Sequence, residues 1–292
     1  MGRTISIVGA GRVGRSLGRR LRERGWRIGA VVTRSEKSAR AAVRAIGGGE
    51  PYGRLTPHAL AAHVILLCTS DDEMAGVTQT LVEMGKTDCA GKTVLHTSAT
   101  LDRRVLAPFA RLGAATGSLH PMQAFGGTIV PSLRGVIFAI EGDRRARRVA
   151  RALAKSFGGV PVEIATRDKP IYHAAAVLAA GSAYPEIEAG IIMLMRIGFT
   201  RAAAMRTLLP LVRQILDNIA RIGPRAAWTG PLSRGDYAIV ARHVRALRGY
   251  PREIREAYAT LSLLAGRVLS KSPTATLAEL RHTLKISGGG RV

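Results

Sequence analysis

Cysteine is scarce in this chain of 292 residues, which contains only Cys68 and Cys89. Neither cysteine belongs to a CxxC motif or to a spacing typical of zinc ligands, so the sequence excludes a disulfide framework and predicts no metal site. The scarcity of cysteine pairs also predicts a reducing compartment.

Acidic residues are few as well, because 20 Asp and Glu stand against 44 Lys and Arg, a formal net charge of +24. Such a charge is typical of proteins that bind nucleic acids or anionic membranes. The arginines, however, are spread along helix-like segments and are not gathered with aromatic residues, which make up 4 % of the chain. We therefore expect solvated helix faces and no specific nucleic-acid partner, with weak, salt-sensitive binding of polyanions as the open alternative.

The sequence has no long uninterrupted apolar run. Its N-terminus leads directly into a short apolar strand, without the features of a signal peptide, so we expect a cytoplasmic protein. The longest uncharged stretch, Leu112–Leu133, is interrupted by glycines, Pro121 and Pro131. It is too polar and too broken for a transmembrane helix, and we expect no membrane association.

The first half of the chain alternates short β-branched runs with helical patterns. This alternation predicts a doubly wound α/β domain of the Rossmann type over residues 1–166, with a mostly parallel sheet. The predicted strands are Thr4–Val8, Ile28–Thr33, Val64–Thr69, Thr93–Thr97, Ala114–Leu119, Val136–Ile140 and Val160–Ile164.

Residues 167–292 lack such runs and predict an all-helical second domain for substrate binding and dimerisation. Three long helical patterns cover Asp168–Arg196, Arg201–Ile222 and Arg234–Leu269. Pro185 and Pro251 lie inside two of them, and we expect a kink or break near each.

A glycine motif follows the first predicted strand and opens a helix. Its three glycines allow a tight turn, close approach of a pyrophosphate and close packing of strand and helix. The helix-terminal N–H groups would bind the phosphates. This context predicts a dinucleotide site at Gly9, Ala10, Gly11, Arg12, Val13 and Gly14.

The end of the second predicted strand indicates which dinucleotide is bound. An acid at this position would bind the ribose 2′-hydroxyl of NAD, but the sequence has Thr33, Arg34 and Ser35 there. An arginine pairs with a 2′-phosphate in a bidentate manner, so these residues favour NADP(H). The alternative is a surface arginine in an arginine-rich chain, and the nearby Glu36 keeps that alternative open.

Ligands of open α/β sheets bind beyond the carboxyl ends of the strands. The turn after the Val64–Thr69 strand begins a helix and is expected to line the cofactor, as is the end of the next strand. The predicted cofactor residues there are Thr69, Ser70, Met74 and Thr97.

Several separated segments resemble one family: Ser118–Phe125 (SLHPMQAF), Tyr172–Ala179 (YHAAAVLA), and Thr229–Pro231 with Arg234–Asp236. The chain resembles the Rossmann-like proteins whose helical C-terminal domain was once catalogued as a domain of unknown function. These proteins belong to the 6-phosphogluconate/β-hydroxyacid dehydrogenase superfamily and include an alternative ketopantoate reductase. The resemblance implies an NADPH-dependent reductase that binds its substrate between two domains, as a homodimer built through the helical half.

The chain departs from this family at two positions. The family commonly has a Ser-Asn pair on the long helix where this chain has Ala180 and Gly181. If that asparagine orients the substrate or the nicotinamide, its loss changes the substrate or weakens the chemistry. The alternatives are therefore an NADP-binding sensor without turnover and a reductase that acts on an imine.

Reduction of a ketone or imine needs a proton donor close to the reacting atom. Lys169 and His173 are one helical turn apart and share a helix face. We expect His173 to be the acid and Lys169 to polarise a carbonyl or bind a substrate anion, and the alternative is a solvated lysine with a buried structural histidine.

The predicted substrate-binding residues are Ser98, His120, Gln123, Thr229, Arg234 and Asp236. Arg234 and Asp236 have a structural ion pair as their alternative.

Overall fold

The structure is a computed structural model that describes residues 4–85, 89–127 and 129–285. Two compact units divide the chain, Met1–Gly181 and Ser182–Val292. The first unit therefore includes the helix that starts at Lys169, which the sequence analysis assigned to the second domain.

The first unit is built on one eight-stranded sheet in the order β3-β2-β1-β4-β5-β6-β7-β8. All neighbouring strands are parallel except β6 and β7. The strands are β1 Thr4–Val8, β2 Arg27–Val32, β3 Glu50–Tyr52, β4 Val64–Leu67, β5 Thr93–His96, β6 Ala115–Pro121, β7 Ile137–Gly142 and β8 Val160–Glu163. The helices of this unit are α1 Arg12–Glu23, α2 Glu36–Ile46, α3 Asp71–Gly85, α4 Ala107–Arg111, α5 Arg144–Ser156 and α6 Lys169–Ala176.

Alternate strand residues supply two apolar cores, one on each face of the sheet. Ile7 and Leu66 point into a core that α1 and α5 cover with residues such as Leu17 and Leu153. Val8 and Leu67 point to the opposite face, where α3 contributes Met74 and Leu81. Because both faces are covered by helices, the predicted doubly wound α/β class is confirmed.

All seven predicted strands are present, with ends that differ by at most two residues. The sequence analysis missed β3, which pairs with β2 through Glu50, Pro51 and Tyr52. This strand has three residues, one of them proline, and no β-branched run, so no periodic signal identifies it.

The second unit consists of helices, as predicted. They are α7 Ala183–Arg196, α8 Arg201–Ile222, α9 Pro224–Ala227, α10 Pro231–Arg234, α11 Tyr237–Ala246, α12 Arg252–Val268 and α13 Pro273–Lys285. The predicted break near Pro251 is confirmed, since Pro251 is the N-cap residue of α12. Near Pro185, the interruption is the π-helical turn Val177–Gly181, which precedes the proline.

Within the described residues, one helical stretch, Thr166–Arg196, has the length and apolar composition that would allow it to cross a membrane. Its most apolar window has a mean hydropathy of 1.3, and 6 % of that window is buried. A single stretch of this kind is weak evidence for a span, because helices that pack on protein surfaces have similar compositions.

Candidate active site

The glycine motif forms the turn between β1 and α1. Gly9 has a φ of +84°, and a Cβ added there would lie 2.7 Å from the backbone of both Cys68 and Thr69. The backbone N–H groups of Gly9 and Ala10 donate to the carbonyl oxygen of Val32, at 2.9 and 3.1 Å. The turn is thus fixed between the ends of β2 and β4, where a side chain at position 9 has no room.

Gly14 has a different role from Gly9. A Cβ at position 14 would lie 2.8 Å from the carbonyl oxygen of Gly9 and 3.1 Å from the side chain of Ile7. This glycine therefore lets α1 approach β1 closely, as the third glycine of the fingerprint does.

The N-terminus of α1 has no side-chain cap in the described structure, since its N-cap residue is Gly11. The first turn of α1 also contains no acidic residue. Its backbone N–H groups and the positive end of the helix dipole are therefore available to an anion.

A cavity of about 1270 Å³ opens in front of this turn. Eight of the predicted cofactor residues line it: Gly9, Ala10, Gly11, Arg12, Thr33, Arg34, Thr69 and Ser70. The volume exceeds that of most small-molecule pockets and is large enough for an extended dinucleotide. The uncapped helix, the glycine cradle and the arginines fit a phosphorylated dinucleotide.

The other predicted cofactor residues lie beside this cavity. The side chain of Val13 packs on the core, Met74 is buried, and Thr97 donates its N–H to Leu67. The Ser35 hydroxyl caps α2 by accepting a hydrogen bond from the N–H of Ser38. The Ser35 hydroxyl also donates to the Ser38 hydroxyl at 2.9 Å, so both of these hydrogen bonds are local, and Ser38 lines the cavity instead.

Arg54 is a cavity residue that the sequence analysis missed. It follows β3, and its neighbour Gly53 lies so close to α2 that a Cβ there would be 2.3 Å from the Glu36 nitrogen. Arg34 is 93 % exposed at its side chain, with Glu73 3.8 Å away. Two guanidinium groups from different elements therefore line the cavity, as expected for recognition of a phosphate.

A second group of polar side chains lies at the carboxyl ends of β5 and β6, the same edge of the sheet as the glycine turn. Lys169 is only 1 % exposed, and its Nζ donates to the Ser118 hydroxyl at 2.9 Å. His120 Nδ1 lies 3.1 Å from the Tyr172 hydroxyl, and the two rings meet edge to face. Helix α6 thus brings Lys169 and Tyr172 onto β6.

Burial dominates the pKa shifts in this group of side chains. Burial lowers the pKa of Lys169, against the attraction of the carboxylates of Glu141, Asp102 and Asp71. Burial, then the charge of Lys169 and that of His173, lowers the pKa of His120 to about 4. His120 is consequently neutral at pH 7.

His96 and His173 each carry a buried ring nitrogen without a hydrogen-bond partner among the described residues, Nε2 in His96 and Nδ1 in His173. Burial and the nearby charge of Lys169 lower the pKa of His96 to about 3. Unpartnered buried nitrogens are uncommon in proteins, and they occur at functional sites.

Ser98 is held by several protein groups. Its hydroxyl donates to Asp71 Oδ2 at 2.8 Å and accepts the N–H groups of Thr100 and Leu101 at 3.1 and 3.0 Å. These bonds give Ser98 a role in fixing the turn after β5, and they leave it little capacity to bind a substrate.

The remaining predicted substrate residues are exposed. Gln123 follows β6 in the first unit. Thr229 lies in the second unit, where Arg234 and Asp236 form a partly exposed ion pair at 3.0 Å. The structural alternative for Arg234 and Asp236 thus occurs in the structure, and a role in substrate binding stays a prediction.

The two positions of the family's Ser-Asn pair lie on one unusual element. Ala180 and Gly181 belong to the π-helical turn Val177–Gly181. Single π turns inside helices are rare and occur frequently at functional sites.

Comparisons with known proteins agree with this architecture. Residues 2–121 match a Rossmann-like domain, and residues 136–265 match a domain of unknown function, DUF2520. No curated protein matches the sequence.

Three solved structures illustrate the similarity of fold. A Bacteroides fragilis protein provisionally classed as an NADP oxidoreductase has 22 % identity and a TM-score of 0.73 over 89 % of this chain and 96 % of its own. A reductive aminase from Aspergillus terreus, solved with NADPH and ethyl-5-oxohexanoate, has 16 % identity and a TM-score of 0.67 over 94 % and 98 %. An imine reductase from Streptomyces aurantiacus has 19 % identity and a TM-score of 0.60 over 94 % and 99 %.

These matches confirm the resemblance that the separated sequence motifs indicated. The Rossmann-like match is thus followed by a DUF2520 match that begins just before β7 and continues through the helices of the second unit into α12.

Proposed function

We propose that this protein is an NADPH-dependent reductase that acts on a carbonyl or imine group of a small molecule. The observation that carries the proposal is the cavity in front of the glycine turn, with the uncapped N-terminus of α1 and the guanidinium groups of Arg34 and Arg54 on its wall. The loop Gly9–Arg12 would hold the pyrophosphate, and the two arginines a 2′-phosphate.

The side chains on β5, β6 and α6 would manage the proton of the reaction. When bound, NADPH supplies a hydride that a carbonyl or imine carbon accepts. The oxygen or nitrogen of that group then takes a proton, which we assign to His173 because its Nδ1 is buried and unpartnered in the described structure. Lys169, held by Ser118, would stabilise negative charge that develops on the substrate.

The substrate class is the finer part of the proposal. The family resemblance favours a small oxo-acid such as ketopantoate. The names of the reductive aminase and the imine reductase above favour an imine, and the replacement of the Ser-Asn pair by Ala180 and Gly181 favours either a changed substrate or weaker chemistry. A sensor that binds NADP without turnover is the remaining alternative.

Nicotinamide absorbance distinguishes these possibilities. We expect NADPH oxidation with ketopantoate, or with a ketone and an amine together. The variants Lys169→Met and His173→Gln should lower kcat roughly 100-fold or more, because general acids contribute about 10²–10⁴-fold. Their affinity for NADPH should differ from that of the wild type by less than about twofold. Tight binding of NADPH without turnover on either panel would favour the sensor, and absence of NADPH binding would contradict all three alternatives.

We also propose that the chain forms a homodimer through its helical unit. Helix α8 carries an exposed apolar stripe at helical spacing, Leu211, Ile215, Ile219 and Ile222. Exposed stripes of this kind are typical of subunit interfaces. A second copy of the chain would bury the stripe, and sedimentation would measure the mass of the assembly.

The cytoplasm is the compartment that we propose. Neither Cys68 nor Cys89 forms a disulfide bond within the described residues, as expected in reducing surroundings.

A further inference from the structure

A second cavity lies at the opposite end of the sheet from the glycine turn. It has a volume of about 640 Å³, and we call it the arginine groove. The groove is lined by Arg144, Arg145, Arg147, Arg148, Arg151 and Glu163. All five arginines belong to α5, and Glu163 ends β8, the edge strand. Strands β1 and β8 are five positions apart in the sheet, a lateral separation of about 24 Å, so the groove and the glycine turn are separate sites.

The groove contains more cationic side chains than carboxylates. Glu163 accepts hydrogen bonds from Arg147 Nη1, at 2.8 Å, and from Arg151. Arg145 donates to the carbonyl oxygen of Gly91. Arg144 and Arg148 are exposed and make no hydrogen bond or ion pair with any described residue. The lining therefore has four more cations than carboxylates.

The stability of α5 does not explain these arginines. Its first turn contains arginines and no acidic residue, although cations are unfavourable at the positive end of a helix dipole. Arg144 and Arg148 are one turn apart, and like charges at that spacing destabilise a helix by about 0.2–0.5 kcal/mol. An external anion that neutralises them would remove this cost.

Helix α1 shows how arginines are accommodated when their role is local. Arg19 and Arg20 both pair with Glu23, at 2.9 Å each. Arg20 also donates to the carbonyl oxygens of Val130 and Pro131. These guanidinium groups have protein partners, whereas two of those in the groove have none in the described structure.

The chemistry of the lining identifies the class of ligand. Guanidinium groups bind phosphates in a bidentate manner, and the five arginines span about 10 Å of helix. The lining contains no aromatic side chain on which a base would stack, which argues against recognition of nucleotides. Nucleic-acid binding also uses longer surfaces, typically with about 6–10 phosphate contacts. A chain of directly linked phosphates places more charge in a short groove.

We propose that the arginine groove binds inorganic polyphosphate. Each unpaired guanidinium contacts phosphate oxygens, whereas the Glu163 carboxylate competes with the ligand for Arg147 and Arg151. This site is independent of the reductase site proposed above, and its test does not depend on NADPH.

Calorimetry of the full chain with inorganic tripolyphosphate and with long-chain polyphosphate tests the proposal. The variant Arg144→Gln/Arg148→Gln should weaken binding about tenfold or more, corresponding to about 1.4 kcal/mol. The control Arg242→Gln/Arg245→Gln also removes two positive charges, from exposed positions of α11. It should change the affinity for polyphosphate by less than about twofold. Thermal unfolding checks that both variants are folded.

A gain of affinity provides a second readout. Glu163→Gln removes the carboxylate of the groove and should strengthen polyphosphate binding several-fold. Equal losses in the two arginine variants, an unchanged or weaker Glu163→Gln variant, or no binding by the wild type would overturn the proposal. So would tighter binding of duplex DNA that depends on Arg144 and Arg148, because the groove would then serve nucleic acid.

Discussion

The two units of this protein differ in how completely they bury their apolar residues. In the first unit, β1, β4 and β5 are buried along their whole length. In the second, the 22 residues of α8 include only Ala204 as a buried residue. The first unit thus completes its core within one chain, whereas α8 of the second unit leaves apolar side chains exposed.

This difference separates two kinds of residue. Side chains of the first unit are fixed by protein contacts, so changes there should affect folding and ligand binding together. Side chains on the exposed stripe of α8 should affect assembly without altering the fold of the first unit. The following predictions test that separation, from the largest expected effect to the smallest.

Gly9→Ala should produce the largest effect. The substitution combines a positive φ with a clash of 2.7 Å against the backbone of Cys68 and Thr69. We expect about 100-fold weaker NADPH binding, or about 2.8 kcal/mol, together with lower stability. Gly25→Ala is the matched control, because Gly25 has a similar φ of +79° but no neighbour within 4 Å. Equal effects of the two substitutions, measured by calorimetry and urea unfolding, would contradict the close packing of the turn.

The buried histidines of the first unit predict a pH-dependent stability. Their pKa values fall from 6.5 to about 3 for His96 and about 4 for His120, so the unfolded chain binds protons that the folded chain does not. Stability is complete above pH 6.5 and decreases as the pH falls towards those values, by up to about 1.4 kcal/mol per pH unit for each histidine. Urea unfolding at pH 7 and pH 5 measures the slope, which His120→Asn should flatten. Greater stability at pH 5 than at pH 7 would refute this account.

Leu211→Glu tests the second unit. A carboxylate at the first position of the apolar stripe of α8 should weaken the proposed dimer by roughly 10-fold or more, because burying an unpaired charge is costly. Arg213→Gln changes the charge by the same amount on the opposite face of α8 and should leave the mass unchanged. Sedimentation over a range of concentrations gives the dissociation constants. A monomeric wild type would contradict the proposed dimer.

Arg34→Ala should have the smallest effect, because its guanidinium is exposed. We expect about tenfold weaker binding of NADPH, or about 1.4 kcal/mol, and unchanged binding of NADH, which has no 2′-phosphate. Lys37→Ala removes a nearby exposed cation and serves as the control. Equal losses for the two cofactors would assign Arg34 to another part of the dinucleotide.

Local sequence patterns predicted much of the fold and part of the site. Strands of four or more residues with β-branched runs were found, because their burial requires apolar side chains on both faces. The Gly9–Gly14 fingerprint was found because the spacing of its glycines is set within a single strand–turn–helix segment. Arg54 was missed because it follows β3, whose three residues carry no pattern.

The roles of individual polar residues were harder to predict. The hydroxyl of Ser35 was expected to face the cofactor, but it caps α2. The sequence gives the type of side chain, and only the fold decides whether a neighbouring backbone group takes its hydrogen bond first.

The sequence alone determined the order of strands and helices, the glycine turn and the excess of positive charge, because each depends on residues that are adjacent or regularly spaced. Tertiary structure alone decided that Lys169 lies buried against Ser118, that His120 meets Tyr172, and that five arginines of α5 share a groove with Glu163. These arrangements join residues that are far apart in the chain or on separate elements. Their pKa values and charge balance depend on burial and distance, which arise only when the elements pack.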